Sequence, residues 1–298
     1  MEIKSWIHAA RLRTLPLSLS GIIVGSFVAY KQGFWDAAIF SLAMLTTLFL
    51  QILSNFANDL GDSFKGADNE KRVGPMRAVQ SGKISQKEMA IGTVIMSALS
   101  LTTAIPLIII GTSGMPSSVL WVYVVLALLS VLAAVTYTVG KKAYGYNGMG
   151  DVMVFIFFGL VSVLGVYSLY AKQFDWSLLG LAYGIGLLSI AVLNLNNMRD
   201  HENDKTVNKI TIVVAMGFEK AKIYHTTLII GSFLGILVFI FVNKWWVSLI
   251  ALLPYVLLIK HLVKVWKIDV PQSLDPELKK VALSTFMISI LFLISTLL

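Results

Sequence analysis

Cysteine is absent from the 298 residues. That excludes disulfides, thiolate nucleophiles, Cys-type zinc sites and iron–sulfur clusters. Histidine is scarce, with four scattered copies, which argues against a His-rich metal centre. Charge is scarce as well: 13% of the chain is Asp, Glu, Lys or Arg, against about 25% in an ordinary soluble domain. So few charges cannot cover a water-facing surface. Between Glu88 and Lys141 there are none, over a stretch long enough for two bilayer spans of ~20 residues each. What remains is apolar, 57% hydrophobic with a mean hydropathy of +0.79.

An all-α integral membrane protein is therefore expected, as one transmembrane domain over residues 1–298. Nine apolar segments can be marked: Leu15–Tyr30, Ala37–Ala57, Met89–Ile110, Val119–Gly140, Val152–Tyr170, Trp176–Leu195, Ile223–Val242, Trp245–Ile259 and Val281–Leu298. The turn-forming run from Gly111 to Ser118 separates the third from the fourth. Residues 1–14 are expected to form a helix in the membrane interface, because Ile3, Trp6, Ile7 and Ala10 recur at helical spacing beside Arg11 and Arg13.

Basic residues are distributed unevenly. With the N-terminus inside, 21 of the 24 lysines and arginines fall in inner segments, and only Lys31, Lys172 and Lys244 fall outside. That bias places the N-terminus in the cytoplasm of a multi-pass cell-membrane protein. The net charge of +8 then belongs to a basic face suited to anionic membrane lipids and anionic substrates. It does not imply nucleic-acid binding, and no protein partner is implied.

Sixteen carboxylates are present, and nine lie in two inner segments. The first cluster, within residues 58–88, begins Asn58-Asp59-x-x-Asp62 and continues through Lys65, Asp68, Arg72 and Arg77. The second, Asn196-Asn197-x-Arg199-Asp200-x-x-x-Asp204 followed by Lys209, starts one residue ahead of the inner segment 197–222. Asn58 and Asp62 are one helical turn apart, as are Asn196 and Asp200, and Asp200 and Asp204. Oxygen donors at that spacing can share a magnesium ion, which is held by one or two carboxylates and substrate phosphates. The two clusters, each backed by basic residues, suit a pair of magnesium ions clamping a diphosphate. Asn and Asp at helix ends also serve as caps. Here, however, Asn55, Asn58, Asn194, Asn196 and Asn197 sit in or beside apolar runs, where unpaired polar groups are costly. The clusters follow the second and sixth segments, which hints at a duplicated four-helix unit with a ninth helix appended. A third inner loop carries Tyr137, Lys141 and Lys142, and Asp151 near its end is a candidate base. His225 reads as a packed histidine, and His8 and His261 as interfacial. Gly159, Gly165, Gly180, Gly184 and Gly186 read as close-approach positions between helices.

These motifs, with Arg11-x-Arg13-Thr14-Leu15-Pro16 and Arg72-Val-Gly74-Pro75-Met-Arg77, resemble the UbiA superfamily of intramembrane aromatic prenyltransferases, and its menaquinone branch in particular. The resemblance implies nine helices around a central cavity open sideways to lipid. It implies magnesium-dependent transfer of a polyprenyl group from a polyprenyl diphosphate to an aromatic acceptor, 1,4-dihydroxy-2-naphthoate, with loss of CO2. Carried over by position, Asn58, Asp62, Asp200 and Asp204 would be catalytic metal ligands, supported by Asp59, Asp68 and Asn196. Lys65, Arg72, Arg77, Tyr137, Lys141 and Lys209 would hold the diphosphate. The chain departs from the branch at Asn208, where a glycine is expected, at Ile210 in place of an asparagine, and at Lys141-Lys142. Prenylation of another phenol such as 4-hydroxybenzoate is the alternative within the superfamily. A cation-coupled transporter is the alternative outside it, but transporter sites lie near the bilayer midplane on broken helices.

Overall fold

The computed structural model describes residues 3–69 and 73–298. Among them are nine helices long and apolar enough to cross a membrane, and no strand. We number these α1 (Leu15–Lys31), α2 (Ala37–Phe64), α3 (Gln86–Thr112), α4 (Ser117–Thr136), α5 (Gly150–Ala171), α6 (Trp176–Thr206), α7 (Phe218–Asn243), α8 (Trp246–Trp266) and α9 (Pro271–Leu297). A short helix, Ile3–Ala10, precedes α1 with Ile3 and Ile7 facing outward and Trp6 packed edge-on against Phe56 of α2.

Local chemistry sets the helix starts. Asp36 caps α2 by accepting from the Ala38 and Ile39 amides. Ser85 and Glu88 form a reciprocal capping box at the head of α3, satisfying donors that the first turn leaves free. The expected turn between α3 and α4 is present, with Gly114 at φ 81° and Pro116 just ahead of α4. Several helices outrun their apolar segments. α2 continues beyond Ala57 to Phe64, and α6 beyond Leu195 to Thr206. Asn58 to Asp62 and Asn197 to Asp204 are therefore helical rather than looped. Hydropathy marks only the hydrocarbon-facing part of a helix whose backbone bonds continue past it. α8 starts as a 3-10 turn, passes Pro254 and reaches Trp266.

α6 is the centre of the bundle, packed against α5, α7 and α9. A Cβ added at Gly180 would lie 2.5 Å from the Gly235 carbonyl oxygen of α7, and one at Gly159 2.6 Å from that of Ala182. Only glycine permits those approaches. Gly165 has room for a Cβ, unlike the close approach expected of it; its carbonyl accepts a hydrogen bond from Tyr123. The middle of α5, Phe155–Gly165, is wound as a π-helix, a widened turn that often accompanies functional sites.

A cavity of about 520 Å³ runs through the bundle. Along α2 its wall extends from Asp62 to Ala43, about 28 Å at the helical rise, close to the ~30 Å hydrocarbon thickness. One end is polar. The remainder is mostly apolar, with Leu101, Leu107, Phe157, Phe158 and Leu169 among its lining and a few uncharged hydroxyls such as Thr46, Ser100 and Ser162.

Candidate active site

The polar end of the cavity is assembled from three segments distant in sequence. The first is the end of α2. Asn55 donates to the Ala10 carbonyl at 2.9 Å, tying down the chain that enters α1. Asp59 faces the returning loop, accepting from the amides of Ala78 (3.1 Å) and Val79 (3.3 Å). That grip delivers Arg77 to the cavity. Arg77 Nη1 lies 2.6 Å from Asp62 Oδ2 and donates to the Asn58 carbonyl at 2.6 Å, while Nε lies 3.0 Å from Asp68 Oδ1. Burial alone would lower the Arg77 pKa, but Asp62, Asp68 and Asp59 outweigh it and hold it above the ordinary arginine value.

The second segment is the loop between α4 and α5. Thr138 donates to the Ala57 carbonyl at 2.9 Å and to Asn58 Oδ1 at 3.3 Å. The loop presses so closely that a Cβ at Gly61 would lie 2.6 Å from the Thr138 carbonyl carbon. Tyr146, further along, donates its hydroxyl to Asp62 Oδ1 at 2.6 Å. Burial, then the Asp62 charge, raises its pKa, so the phenol remains a donor. Tyr137 lines the cavity, its pKa raised by burial first and Asp62 second.

The third segment is the end of α6 and the turn beyond it. Arg199 clamps Asp200 with Nε (3.0 Å) and Nη2 (2.7 Å), and also reaches Asn196 Oδ1 (2.8 Å) and Asp275 Oδ1 of α9 (2.5 Å). Lys209 Nζ lies 3.2 Å from Asp204 Oδ1, while Asp204 Oδ2 is buried with no hydrogen-bond partner. Asn208, before that lysine, adopts φ 55°, the left-handed conformation that asparagine tolerates better than most residues. Asparagine thus adopts here a backbone conformation that the expected glycine would also allow.

Tyr146 joins the three segments. Its carbonyl accepts from the Ile210 amide at 3.0 Å. Lys65 Nζ stands 3.8 Å over its ring, with Lys209 Nζ at 5.6 Å from the same centroid. Asn203 adds a direct bond between motifs, donating to the Ala67 carbonyl at 3.0 Å. Burial draws the Lys65 pKa down; Asp62 opposes this and Lys209 reinforces it.

Asn58, Asp62, Arg77, Tyr137, Asn196 and Lys209 therefore meet at the cavity wall. Asp68, Asp200 and Asp204 sit behind it, paired with Arg77, Arg199 and Lys209. Lys141 is exposed and does not line the cavity. Arg72 lies outside the described residues. Asp151 accepts from Tyr224 of α7 at 2.8 Å and is not part of the wall. Sequence reasoning missed Tyr146, Asn203 and Asp275. Their only signal is a polar or aromatic group beside a motif, which many surface residues share.

The donors are carboxylate and amide oxygens, the chemistry that magnesium takes, and the buried, unpaired Asp204 Oδ2 and Asn197 Oδ1 are donors awaiting a partner. Among the described residues no three His, Asp or Glu side chains converge as a ready metal cluster, because basic side chains stand between the carboxylates. The residues fit a cation that arrives with an anion able to draw those basic groups away.

The profile of the UbiA prenyltransferase family matches residues 18–290. The chain is 41% identical over 295 residues to the 1,4-dihydroxy-2-naphthoate octaprenyltransferase of Haemophilus influenzae, covering 98% of this chain and 95% of that protein. It is 37% identical over 293 residues to the enzyme of the same name from Escherichia coli, covering 98% and 94%. Its fold is similar to that of a UbiA homolog from Archaeoglobus fulgidus bound to GPP and Mg2+, with a TM-score of 0.64, 17% identity, and 97% and 98% of the two chains covered. The chain belongs to the UbiA prenyltransferase family.

Proposed function

We propose that this protein transfers a polyprenyl group from a polyprenyl diphosphate to 1,4-dihydroxy-2-naphthoate, with loss of CO2 and diphosphate, to give a demethylmenaquinol, the reduced form of a demethylmenaquinone. The reading is supported by near full-length similarity to enzymes of that name. The observation that carries it is the meeting of both acidic motifs and four basic side chains, Lys65, Arg77, Arg199 and Lys209, around one end of a bilayer-length apolar cavity. We place that end, and the N-terminus, on the cytoplasmic face of the cell membrane, where the basic residues concentrate.

Asn58, Asp62, Asn196, Asp200 and Asp204 would hold two magnesium ions, with Asp68 supporting them; Asp59 also anchors the Ala78 turn. Bound magnesium would neutralise the diphosphate and stabilise it as a leaving group. Arg77 and Lys209 at the cavity wall, with Lys65 beside them over the Tyr146 ring, would take up the charge that accumulates on the departing diphosphate as the allylic C–O bond breaks. Tyr146 orients Asp62 by donating its hydroxyl to one carboxylate oxygen. The apolar wall excludes water that would otherwise capture the allylic cation before the acceptor ring does. The electron-rich naphthoate ring then attacks, and loss of its carboxyl group as CO2 restores aromaticity.

Acceptor competition tests the assignment. Purified protein in lipid, given octaprenyl diphosphate, magnesium and equal amounts of 1,4-dihydroxy-2-naphthoate and 4-hydroxybenzoate, is expected to yield prenylated naphthoquinol by mass. Prenylated 4-hydroxybenzoate as the main product would replace the acceptor and leave the site intact.

A further inference from the structure

Among the described residues, α7 and α8 contribute none to the wall of the cavity. They nevertheless bury titratable side chains where they meet α9: His225 of α7 (0% exposed), His261 of α8 (1%) and Glu277 of α9 (0%). The interfacial position expected of His261 is thus corrected. His225 Nε2 and His261 Nε2 are 2.8 Å apart, and His261 Nδ1 is 2.8 Å from Glu277 Oε2. Glu277 Oε1 pairs with Lys264 of α8 and Lys280 of α9, each at 2.8 Å.

Counting donors orders this chain. An ionised carboxylate only accepts, so His261 Nδ1–H donates to Glu277; His261 Nε2 then accepts from His225 Nε2–H. The nitrogen left bare is His225 Nδ1, which is buried without a partner. A buried carboxylate with several strong donors is held firmly, and removing one member leaves uncompensated polarity.

The pinned element matters. α9 opens with a 3-10 segment, Pro271–Leu274, so its first α-helical turn starts at Asp275; Glu277 lies in that turn two residues on, and the intervening Pro276 restricts the backbone between them. Asp275 binds Arg199, which holds Asp200 and Asn196. The polar groups thus run from the α7–α8 contact through the first turn of α9 to the second motif.

We propose that Glu277, fixed by His261 and His225, is a positioning residue for the second motif: it sets the first turn of α9 so that Asp275 orients Arg199 and, through it, Asp200 and Asn196. The link rests on the reading of that motif as a magnesium–diphosphate site.

Wild-type protein, Glu277→Gln, Asp275→Asn and the double variant would be compared by calorimetry. Magnesium is titrated in the presence of farnesyl diphosphate without acceptor, and Tm is recorded in parallel. Each single variant is expected to weaken magnesium affinity about tenfold, as loss of outer-shell partners does. The double variant is expected to match Asp275→Asn within about twofold, because both residues act along one path. His225→Phe, which fills the remote end without the donor, is expected to show a smaller loss. A lowered Tm with unchanged affinity would overturn the link, since the network then only holds helices together. Losses that multiply in the double variant would overturn it equally. Wild-type protein that binds no magnesium with farnesyl diphosphate would overturn both the link and the proposed function; wild-type binding matched by every variant would overturn the link alone.

Discussion

Tyr146 donates its hydroxyl to Asp62 Oδ1 at 2.6 Å, joining the loop between α4 and α5 to the first acidic motif. Its ring lies beneath the ammonium groups of Lys65 and Lys209, one beside each motif. A single side chain thus orients a carboxylate and spaces two cations. Tyr146→Phe keeps the ring and loses the donor. Turnover is expected to fall roughly tenfold, in line with a hydrogen bond to a charged group. Steady-state kinetics over a magnesium series would check this, and an unchanged rate would remove Tyr146 from the machinery.

Asp204 presents one oxygen to Lys209 and buries the other without a partner. A carboxylate oxygen buried without a partner lowers stability. Asp204→Asn is therefore expected to leave Tm unchanged or raised while turnover drops by at least about a hundredfold. Parallel loss of Tm and activity would mean that Asp204 serves folding instead.

Arg77 neutralises Asp62 and Asp68. Arg77→Gln takes the shared cation from two buried carboxylates, a defect of about 3 kcal/mol. Magnesium should repair part of it by binding the exposed charge. A thermal scan is expected to show a lowered Tm that rises with added magnesium more steeply than in the wild type. Equal magnesium responses would contradict a shared carboxylate site.

Burial holds the Lys65 pKa below its ordinary 10.5. Lysine that must be charged to hold a diphosphate loses that charge as pH rises through the lowered value. KM for the diphosphate is expected to climb on the alkaline side, and Lys65→Arg should abolish the climb. The contribution to folding has the opposite sign: the unfolded chain binds the proton more tightly, so stability rises with pH between the lowered value and 10.5. KM profiles of both proteins decide the matter, and identical profiles would exclude Lys65.

Composition and periodicity carry the nine spans and the common helix face of Asn58 and Asp62, both of which line the cavity, since both depend on local sequence. The extent of α2 and α6 past their apolar runs is not readable by hydropathy, because polar residues keep the same backbone bonds once packed. Tyr146 escapes for another reason: its partner Asp62 is 84 positions away, and no local pattern encodes that contact. His261, flanked by Lys260 and Lys264, resembles an interfacial residue; Glu277, sixteen positions on, provides the buried partner. The basic residues are expected to hold the diphosphate; Arg77 and Lys209 line the cavity and also pair with Asp62 and Asp204 of the acidic motifs, contacts that join residues distant in sequence and that no local pattern encodes.

The most direct measurement follows product and CO2 together. Carboxyl-labelled 1,4-dihydroxy-2-naphthoate, octaprenyl diphosphate and the purified protein in lipid are incubated with magnesium or with EDTA. The account predicts one labelled CO2 per octaprenylated product with magnesium, and neither with EDTA. Product that retains the label, or that forms at the same rate in EDTA, would contradict it.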